Sequence, residues 1–355
     1  MEIQQPRKIL ITGNMGYVGP VLERHLRHVF PGTSLLGLDT GYFGNCINSP
    51  EFLPEVLLDL QHFRDVRDID PGVLAGVDAV LHLAGISNDP IGNRFEDATS
   101  EINHRASISL AQKAKEAGVR SFVFASSCSM YGSADDSAKA ENSSLNPLTA
   151  YARSKAYTER DLKPLASSQF VVTCLRFATA CGMSDRLRLD LVLNDFVAAA
   201  LSAGRIQILS DGTPWRPLIN VKDMARALEW ATLRREDTSG AFLAVNVGSS
   251  EWNYQVKDLA EAVADVIPKT AISINQDAAP DKRSYRVNFD LYRRLASEHQ
   301  PKYDLYSTIQ ELASGLEQIG FSDQDFRRSS YMRLNVLTEL RAKQLLDEQL
   351  RWAMP

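Results

Sequence analysis

Cysteine is scarce in this sequence, and the few cysteines are placed in a way that excludes two kinds of framework. The 355 residues contain four of them, Cys46, Cys128, Cys174 and Cys181. They form no CxxC pair and have no histidines at metal-ligand spacing, so we expect neither a metal site nor a disulfide framework. So few thiols in a chain of this size are typical of a reduced, cytoplasmic protein.

Long apolar runs and excess positive charge are also missing. No apolar stretch approaches the roughly 20 residues that span a bilayer, and residues 1–6 place an acid and a proline where a signal peptide would begin with basic and then apolar residues. The net charge is −5, which gives no general attraction to nucleic acids or anionic membranes. We expect a soluble, cytoplasmic protein that binds neither.

The chain does have short apolar runs that alternate with amphipathic segments of helical spacing. This rhythm predicts an α/β fold of the Rossmann type, a doubly wound parallel sheet with helices on both faces. Beyond Cys181 the rhythm loosens, which predicts a smaller, mixed C-terminal lobe that binds substrate. We place the first domain at residues 1–180, with segments around 215–248 returning to it, and the discontinuous second lobe at 181–355. The predicted strands are 8–11, 34–38, 78–85, 121–125 and 170–175, and the predicted helices include 17–30, 106–117 and 151–165.

A glycine-rich turn joins the first predicted strand to the first predicted helix. Gly13, Gly16 and Gly19 recur every three residues, with Met15 and Tyr17 between them. Glycine is needed for the tight turn, for the close approach of backbone to a pyrophosphate, and for packing of the helix on the strand. The helix that follows directs free N–H groups at the phosphates. The pattern predicts a dinucleotide site, although glycines alone also occur in ordinary turns.

Asp39 closes the second predicted strand, 20 residues after Gly19. A carboxylate at this position accepts hydrogen bonds from the ribose hydroxyls of a dinucleotide and repels a 2′-phosphate. The next residues, Thr40, Gly41 and Tyr42, include no arginine that would neutralise such a phosphate. We therefore predict NAD and not NADP as the cofactor, with a surface turn as the alternative role of Asp39.

Two further segments are expected to contact the same cofactor. Asp65 and Val66 come just before a predicted helix that precedes the fourth strand, where they would hold the adenine amino group, although an ordinary charged loop is as consistent with the sequence. Leu83, Ala84 and Gly85 end the fourth strand, where small residues let the cofactor pass close to the backbone.

The candidate catalytic residues are Tyr151, Lys155 and Ser127. Tyr151 and Lys155 are four residues apart and share one face of a helix, and a neighbouring ammonium lowers the pKa of a phenol. Such a phenol can take a proton from a hydroxyl group while hydride leaves its carbon. Ser127 follows the fifth predicted strand, at the edge of the sheet where ligands bind, and its hydroxyl could stabilise the same oxygen.

Taken together, the motifs resemble the extended short-chain dehydrogenase/reductase family of NAD-dependent nucleotide-sugar epimerases and dehydratases. They match in order over about residues 8–290. The resemblance implies Ser127, Tyr151 and Lys155 as the catalytic triad, with Asn103 as a structural or active-site support. It implies a nucleotide-diphosphate sugar as the substrate, bound by Ser87, Ser127, Cys128, Ser129, Asn194, Arg216 and Arg283. The matching motifs are the glycine turn, Asp65-Val66-Arg67-Asp68, His82-Leu83-Ala84-Gly85, Ser126-Ser127 with Tyr131-Gly132, Pro147 with Tyr151 to Lys155, Leu175-Arg176, the segment 208–223 and the segment 281–285.

The residues after Ser127 bear on the reaction. The family's 4,6-dehydratases have a glutamate or an Asp-Glu pair there, whereas this chain has Cys128 and Ser129. We therefore expect epimerisation, at C4, through a transient 4-keto sugar. A dehydratase, a net reductase or dehydrogenase, and a non-catalytic NAD-binding protein stay open as alternatives.

The resemblance also implies a homodimer, paired through the helices at 106–117 and 151–165. Cys128 is interpreted either as a packing residue or as an acid/base. The sequence specifies neither the sugar nor the nucleotide base.

Overall fold

The computed structural model describes residues 5–48, 51–132, 137–275, 277–278 and 283–353. The strands are β1 (Lys8–Thr12), β2 (Ser34–Asp39), β3 (Leu60–Phe63), β4 (Ala79–His82), β5 (Ser121–Ser127), β6 (Val171–Phe177), β7 (Thr179–Cys181), β8 (Arg205–Ile208), β9 (Trp215–Asn220), β10 (Phe242–Val247), β11 (Asn253–Gln255) and β12 (Ala271–Ile274). The helices are α1 (Gly19–Val29), α2 (Asp89–Arg94), α3 (Glu96–Ser100), α4 (Ala106–Glu116), α5 (Ala150–Leu162), α6 (Val192–Ala203), α7 (Val221–Leu233), α8 (Glu236–Ser239), α9 (Val256–Val266), α10 (Asp290–Leu295), α11 (Leu305–Gln318) and α12 (Arg333–Ala342).

The main sheet has seven strands in the order β10-β6-β5-β4-β1-β2-β3. Every pairing in it is parallel. The order reverses between β1 and β4, and in open parallel sheets such a switch point is where ligands bind, at the carboxyl ends of the strands. The predicted Rossmann-type fold is confirmed, and β10 is an edge strand of its sheet.

Alternating side chains of the strands fill two core layers. Ile9 and Ile11 of β1 pack with α1 and α7 on one face of the sheet, whereas Leu10 lies on the other face with α4. Strands buried on both sides need apolar residues at nearly every position, which is why short continuous apolar runs located them in the sequence.

The second lobe is built from two small sheets and the helices around them. Its sheets have the orders β11-β9-β7 and β12-β8, and a third apolar cluster joins α6, α9 and α11. In the described ranges, no helix has the length and apolarity needed to cross a membrane.

Two features differ from the sequence-based expectations. The helix expected between Val66 and the fourth strand is instead a pair of 3₁₀ turns, Val66–Asp68 and Pro71–Leu74. The C-terminal residues assigned to the second lobe return to the first one, because Leu337, Leu346 and Leu350 are buried in its core.

Candidate active site

A cavity of about 890 Å³ lies at the carboxyl ends of the central strands. One part is lined by the turn between β1 and α1, the end of β2 and the residues after β4. Another part is lined by the end of β5, by α5 and by segments of the second lobe. The residues predicted for the dinucleotide and for catalysis therefore face one continuous space.

The glycine turn has the close contacts that its sequence predicts. Gly13 has a φ of +75°, and a Cβ on it would lie 2.4 Å from the backbone nitrogen of Ala84. A Cβ on Gly19 would lie 1.7 Å from the carbonyl oxygen of Asn14, so Gly19 serves the packing of α1. Gly13, Gly16 and Tyr17 line the cavity. Met15 and Gly19 are not among its lining residues, so the structure places them behind the turn and does not bring them to the cavity surface.

Asp39 is fixed by the backbone around it. Its two carboxylate oxygens accept hydrogen bonds from the N–H of Gly41 (2.8 Å) and the N–H of Met15 (3.0 Å). Burial raises the pKa of Asp39, and these two hydrogen bonds act in the opposite direction. A carboxylate has about four acceptor positions, so Asp39 retains capacity for the hydroxyl groups of a ribose.

The remaining predicted cofactor residues also line this space. Asp65 is held by the guanidinium of Arg67, whose Nε lies 2.9 Å from a carboxylate oxygen, and both Asp65 and Val66 face the cavity. Leu83, Ala84 and Gly85 face it from the end of β4. Backbone without side-chain bulk at Gly13 and Gly16, together with the acid at the end of β2, fits a dinucleotide whose ribose carries no phosphate.

Ser127, Tyr151 and Lys155 meet in the same cavity. The ammonium of Lys155 donates a hydrogen bond to the carbonyl of Ala125 (2.7 Å) and lies 5.7 Å from the centre of the Tyr151 ring. Ser127 lies within reach of the Tyr151 hydroxyl and lowers the pKa of the phenol, while its own hydroxyl donates a hydrogen bond to the hydroxyl of Ser129 (2.9 Å). The Ser127 oxygen also accepts a hydrogen bond from the N–H of Ser129 (3.1 Å), which fixes its position.

The charges of this group differ from the sequence-based expectation. Burial raises the pKa of Tyr151, and the hydrogen bond to Ser127 only partly opposes it. Burial lowers the pKa of Lys155 to about 8. The expected lowering of the tyrosine pKa by the lysine is therefore outweighed by desolvation in the protein without a ligand. A positive charge placed beside the phenol would lower its pKa.

Asn103 is a support, as the resemblance implied. Its side-chain amide accepts a hydrogen bond from the N–H of Ile86 (2.7 Å) and donates to the carbonyl of Ile86 (2.8 Å) and to the hydroxyl of Ser154 (3.1 Å). It lies in a π-helical segment, Glu101–Arg105, a geometry that often occurs at functional sites. Asn103 thereby ties the loop after β4 to α5, the helix that carries Tyr151.

Two predicted substrate contacts point away from the cavity. Cys128 is fully buried, and its thiol donates to the carbonyl of Arg176 (3.1 Å). Burial raises the pKa of this thiol well above its ordinary value, so Cys128 is a packing residue and not an acid/base. Asn194 is also fully buried; it accepts from the N–H of Gly182 (3.0 Å) and donates to the carbonyl of Arg188 (2.9 Å). Neither residue is among those that line the cavity, so the structure does not bring them together with the other predicted substrate contacts.

The other predicted substrate residues line the cavity: Ser87, Ser127, Ser129, Arg216 and Arg283. Arg283 forms an ion pair with Asp89 (3.1 Å). Its predicted neighbours in the motif, Asp281 and Lys282, lie outside the described residues.

Sequence reasoning missed a polar group beside them. Arg188 pairs with Asp190 (2.8 Å) and donates to Ser87 (2.8 Å), and Asn88 donates to the same aspartate (2.8 Å). The sequence feature that could have revealed this polar group is the alternation of charged residues with leucines at 186–190.

Comparisons with known proteins identify related sequences and a related fold. An uncharacterized UDP-glucose epimerase of Bacillus subtilis is 28% identical over 256 residues, covering 69% of this chain and 77% of that protein. A dTDP-glucose 4,6-dehydratase of Streptomyces griseus is 28% identical over 263 residues, covering 71% and 76%. The solved structure of a UDP-glucose-4-epimerase from Stenotrophomonas maltophila has a TM-score of 0.73 at 21% identity, covers 88% of this chain and 99% of that one, and shows the same fold.

The family model that matches the chain covers most of the first domain and part of the second lobe. It is described as the NAD dependent epimerase/dehydratase family, and it matches residues 9–248 of 355. The prediction of NAD from Asp39 and the glycine turn agrees with that description. The chain therefore belongs to the NAD dependent epimerase/dehydratase family, and NAD is its cofactor.

Proposed function

We propose that this enzyme epimerises a nucleotide-diphosphate sugar at C4, through a transient 4-keto sugar. UDP-linked hexoses are the first candidates, because UDP-glucose epimerases are among its relatives. Their identity to this chain is 24–28% for the relatives so named, so the sugar and the carbon are proposals and not properties of the family.

Three side chains are proposed to act on the sugar hydroxyl. Tyr151 takes the proton from the hydroxyl at C4 and later returns it, since its phenol lies in the cavity with Ser127 as hydrogen-bond partner. Ser127 donates a hydrogen bond to the oxygen as charge develops there. Lys155, buried beside the ring, stabilises the phenolate. Bound NAD would supply a reversible hydride acceptor for the sugar carbon, held by the glycine turn and Asp39.

Two arginines of the second lobe are proposed to hold the substrate diphosphate. Arg216, from β9, and Arg283 line the cavity beside the catalytic group. Guanidinium groups bind phosphate oxygens with forked hydrogen bonds. Ser87 and Ser129 face the same space and would contact the sugar.

One observation favours epimerisation over dehydration: each carboxylate that the described residues contribute to the cavity already has partners. A dehydratase needs an additional acid and base to remove water from the sugar. Asp89 accepts from Thr149 (2.6 Å) and pairs with Arg283, and it lies near the tyrosine, whose pKa it raises. The other carboxylates and their partners are Asp39 with two backbone N–H groups, Asp65 with Arg67, Asp190 with Arg188, and Asp195 with Arg327.

The test is a panel of UDP-, GDP-, CDP- and dTDP-sugars incubated with the NAD-loaded enzyme. We expect one sugar to be converted to its C4 epimer, resolved by chromatography and NMR, with no net change in reduced nicotinamide absorbance. The matched control is Tyr151→Phe, which keeps the ring and should bind NAD normally while losing turnover by about 10²- to 10⁴-fold.

Other products identify the alternatives. A deoxy-keto sugar would mean a dehydratase, and net accumulation of reduced nicotinamide would mean a dehydrogenase. Binding of NAD without conversion of any sugar would favour a non-catalytic protein. Full turnover by Tyr151→Phe would overturn the proposed role of the tyrosine.

A further inference from the structure

The C-terminal residues 332–353, here called the C-terminal strap, lie against the dinucleotide half of the molecule. They include α12 and a tight reversal in which Leu346 and Trp352 pair as an antiparallel bridge. The strap's Leu337, Leu346 and Leu350 are buried in the cluster that also contains Leu38 and Val66. The strap is therefore an integral part of the first lobe.

The strap is fastened to residues that follow the predicted ribose and adenine contacts. Trp352 donates from its indole nitrogen to the carbonyl of Thr40 (2.7 Å), directly after Asp39. Arg67, which holds Asp65, donates to the carbonyl of Gln349 (2.6 Å). The hydroxyl of Tyr42 donates to the carbonyl of Leu350, and Arg351 pairs with Asp68. These contacts connect the strap to both segments that border the adenosine end of the cavity.

Arg333, at the start of α12, is a buried cation on the cavity wall. It is 2% exposed and lines the cavity, with its guanidinium 5.1 Å from the centre of the Phe43 ring. Its terminal nitrogens donate to the carbonyls of Ser330 (2.9 Å) and Arg186 (2.8 Å), while its buried Nε has no hydrogen-bond partner among the described residues.

Two neighbouring arginines have carboxylate partners, whereas Arg333 has none in the described part of the chain. Arg186 pairs with Glu55 (2.6 Å) and Arg188 with Asp190 (2.8 Å). Removing a guanidinium from water is costly unless an anion or an equivalent set of acceptors compensates. Carbonyls and a ring face supply part of this compensation at Arg333. An anion in the cavity would supply the rest.

We propose that Arg333 is a cofactor-binding residue that places a positive charge against the diphosphate of bound NAD, and that the C-terminal strap holds it there. The diphosphate is the anionic part of this cofactor. Arg333 packs on Phe43, which follows the ribose-binding acid by four residues, so it borders the dinucleotide half of the cavity. The inference depends on NAD, the cofactor of the family, and not on the reaction proposed above.

The test measures binding to the full-length chain freed of NAD, by calorimetry, with three ligands. NAD and ADP-ribose carry the diphosphate, and adenosine does not. For Arg333→Met we expect the Kd of NAD and of ADP-ribose to rise about 10- to 100-fold, the usual cost of losing a charged hydrogen bond. Adenosine binding should stay within about twofold, since the variant keeps the side-chain volume.

The matched control is Arg328→Met, an exposed arginine just before the strap that pairs with Asp325. It should leave all three affinities unchanged. An unchanged NAD affinity in Arg333→Met would overturn the proposal, and so would an equal loss for adenosine, which would indicate a distorted pocket and not a lost charge.

A second measurement decides the matter if Arg333→Met does not fold. In the wild-type chain, saturating NAD should slow amide hydrogen exchange across residues 333–353 more than saturating adenosine does. Equal protection by both ligands, or none by NAD, would contradict the proposed contact with the diphosphate.

Discussion

At the scale of single residues, burial determines which charges Tyr151 and its neighbour Lys155 carry. Desolvation acts on Tyr151 and Lys155 together: it raises the pKa of the phenol and lowers that of the ammonium to about 8. Each shift disfavours the charged form. In the protein without ligands the phenol is therefore neutral at pH 7, whereas the ammonium of Lys155, with a pKa of about 8, is still mostly protonated.

Replacing Lys155 should show how strongly turnover depends on its positive charge. In Lys155→Met the phenolate of Tyr151 loses a neighbouring cation, whose Nζ lies 5.7 Å from the ring centre, so we expect kcat to fall by about 10²- to 10⁴-fold at neutral pH. The loss should shrink as pH rises, because deprotonation of the phenol then no longer needs the ammonium. The measurement is kcat against pH at saturating NAD; a profile that superimposes on the wild type would contradict the role given to Lys155.

The buried carboxyl group of Glu23 makes the free energy of unfolding depend on pH. It lies on α1, fully buried, with Asn14 donating to one oxygen (3.0 Å), and burial raises its pKa from 4.5 to about 8. Between these values the folded chain binds a proton that the unfolded chain releases, so the free energy of unfolding falls as pH rises.

The variant Glu23→Gln removes this titratable carboxyl group and keeps a side chain of similar size. Relative to it, the wild type should lose stability between pH 4.5 and 8, on a scale of about 1.4 kcal/mol for each unit of pKa shift as an upper bound. Thermal melts of both proteins across this range test it, and a constant Tm difference would show that the carboxyl group is ionised throughout.

At the scale of elements, the turn between β1 and α1 needs glycine for two reasons. The backbone of Gly13 is left-handed, and it lies too close to Ala84 for any side chain to fit. Gly13→Ala introduces both a left-handed residue and a Cβ at 2.4 Å from the backbone of Ala84. We expect a loss of stability beyond the roughly 1–2 kcal/mol of the left-handed conformation alone, with a marked loss of NAD affinity.

Gly118→Ala is the matched control. Gly118 has a similar φ of +82°, and a Cβ added to it would have no atom within 4 Å. It should lose about 1–2 kcal/mol from the conformation and keep the affinity for NAD. Denaturant unfolding and NAD titration compare the two variants, and equal effects on both quantities would mean that the contact with Ala84 is unimportant.

Features encoded over short stretches could be predicted from the sequence. The glycine turn, Asp39 and the tyrosine–lysine pair each depend on a local spacing within one strand–turn–helix unit or one helical turn. Periodicity located the buried strands because apolar residues must occupy both faces of them. The existence and order of these elements followed from such patterns.

Features that depend on packing between distant parts of the chain could not be predicted from the sequence. Cys128 and Asn194 were expected in the cavity because of their positions in motifs, yet the direction of each side chain is set by neighbours such as the carbonyls of Arg176 and Arg188. The contact between Trp352 and Thr40 joins residues that are 312 apart in sequence, and no local pattern carries that information.

At the scale of the whole molecule, the C-terminal chain crosses back over the boundary expected near residue 180. Contacts of the strap with the first lobe mean that deleting it would disturb the cofactor half, and loss of the hydrogen bond from Arg333 to the carbonyl of Arg186 would also affect the second lobe. The first lobe is thus assembled from segments that are far apart in the sequence, because the C-terminal residues are buried in its core.

We propose that two such molecules pair through α4 and α5. Tyr157 on α5 is 44% exposed, with Arg160 stacked 5.0 Å from its ring centre, and aromatic residues with arginine are enriched at interfaces. Light scattering at micromolar concentration should give twice 39.4 kDa, and Tyr157→Glu should shift the mass toward the monomer. A wild-type mass of 39.4 kDa alone would refute the dimer.

The central claim is that one hydrogen leaves C4 of a nucleotide sugar and returns to the same carbon. The most direct measurement follows the substrate found in the panel by NMR in two parallel incubations with the NAD-loaded enzyme. Sugar labelled with deuterium at C4 is incubated in H₂O, and unlabelled sugar is incubated in D₂O. The account predicts an epimer that keeps its label at C4 and takes up no deuterium from solvent at other carbons. Deuterium from solvent at C3, C5 or C6, or loss of the C4 label, would contradict it.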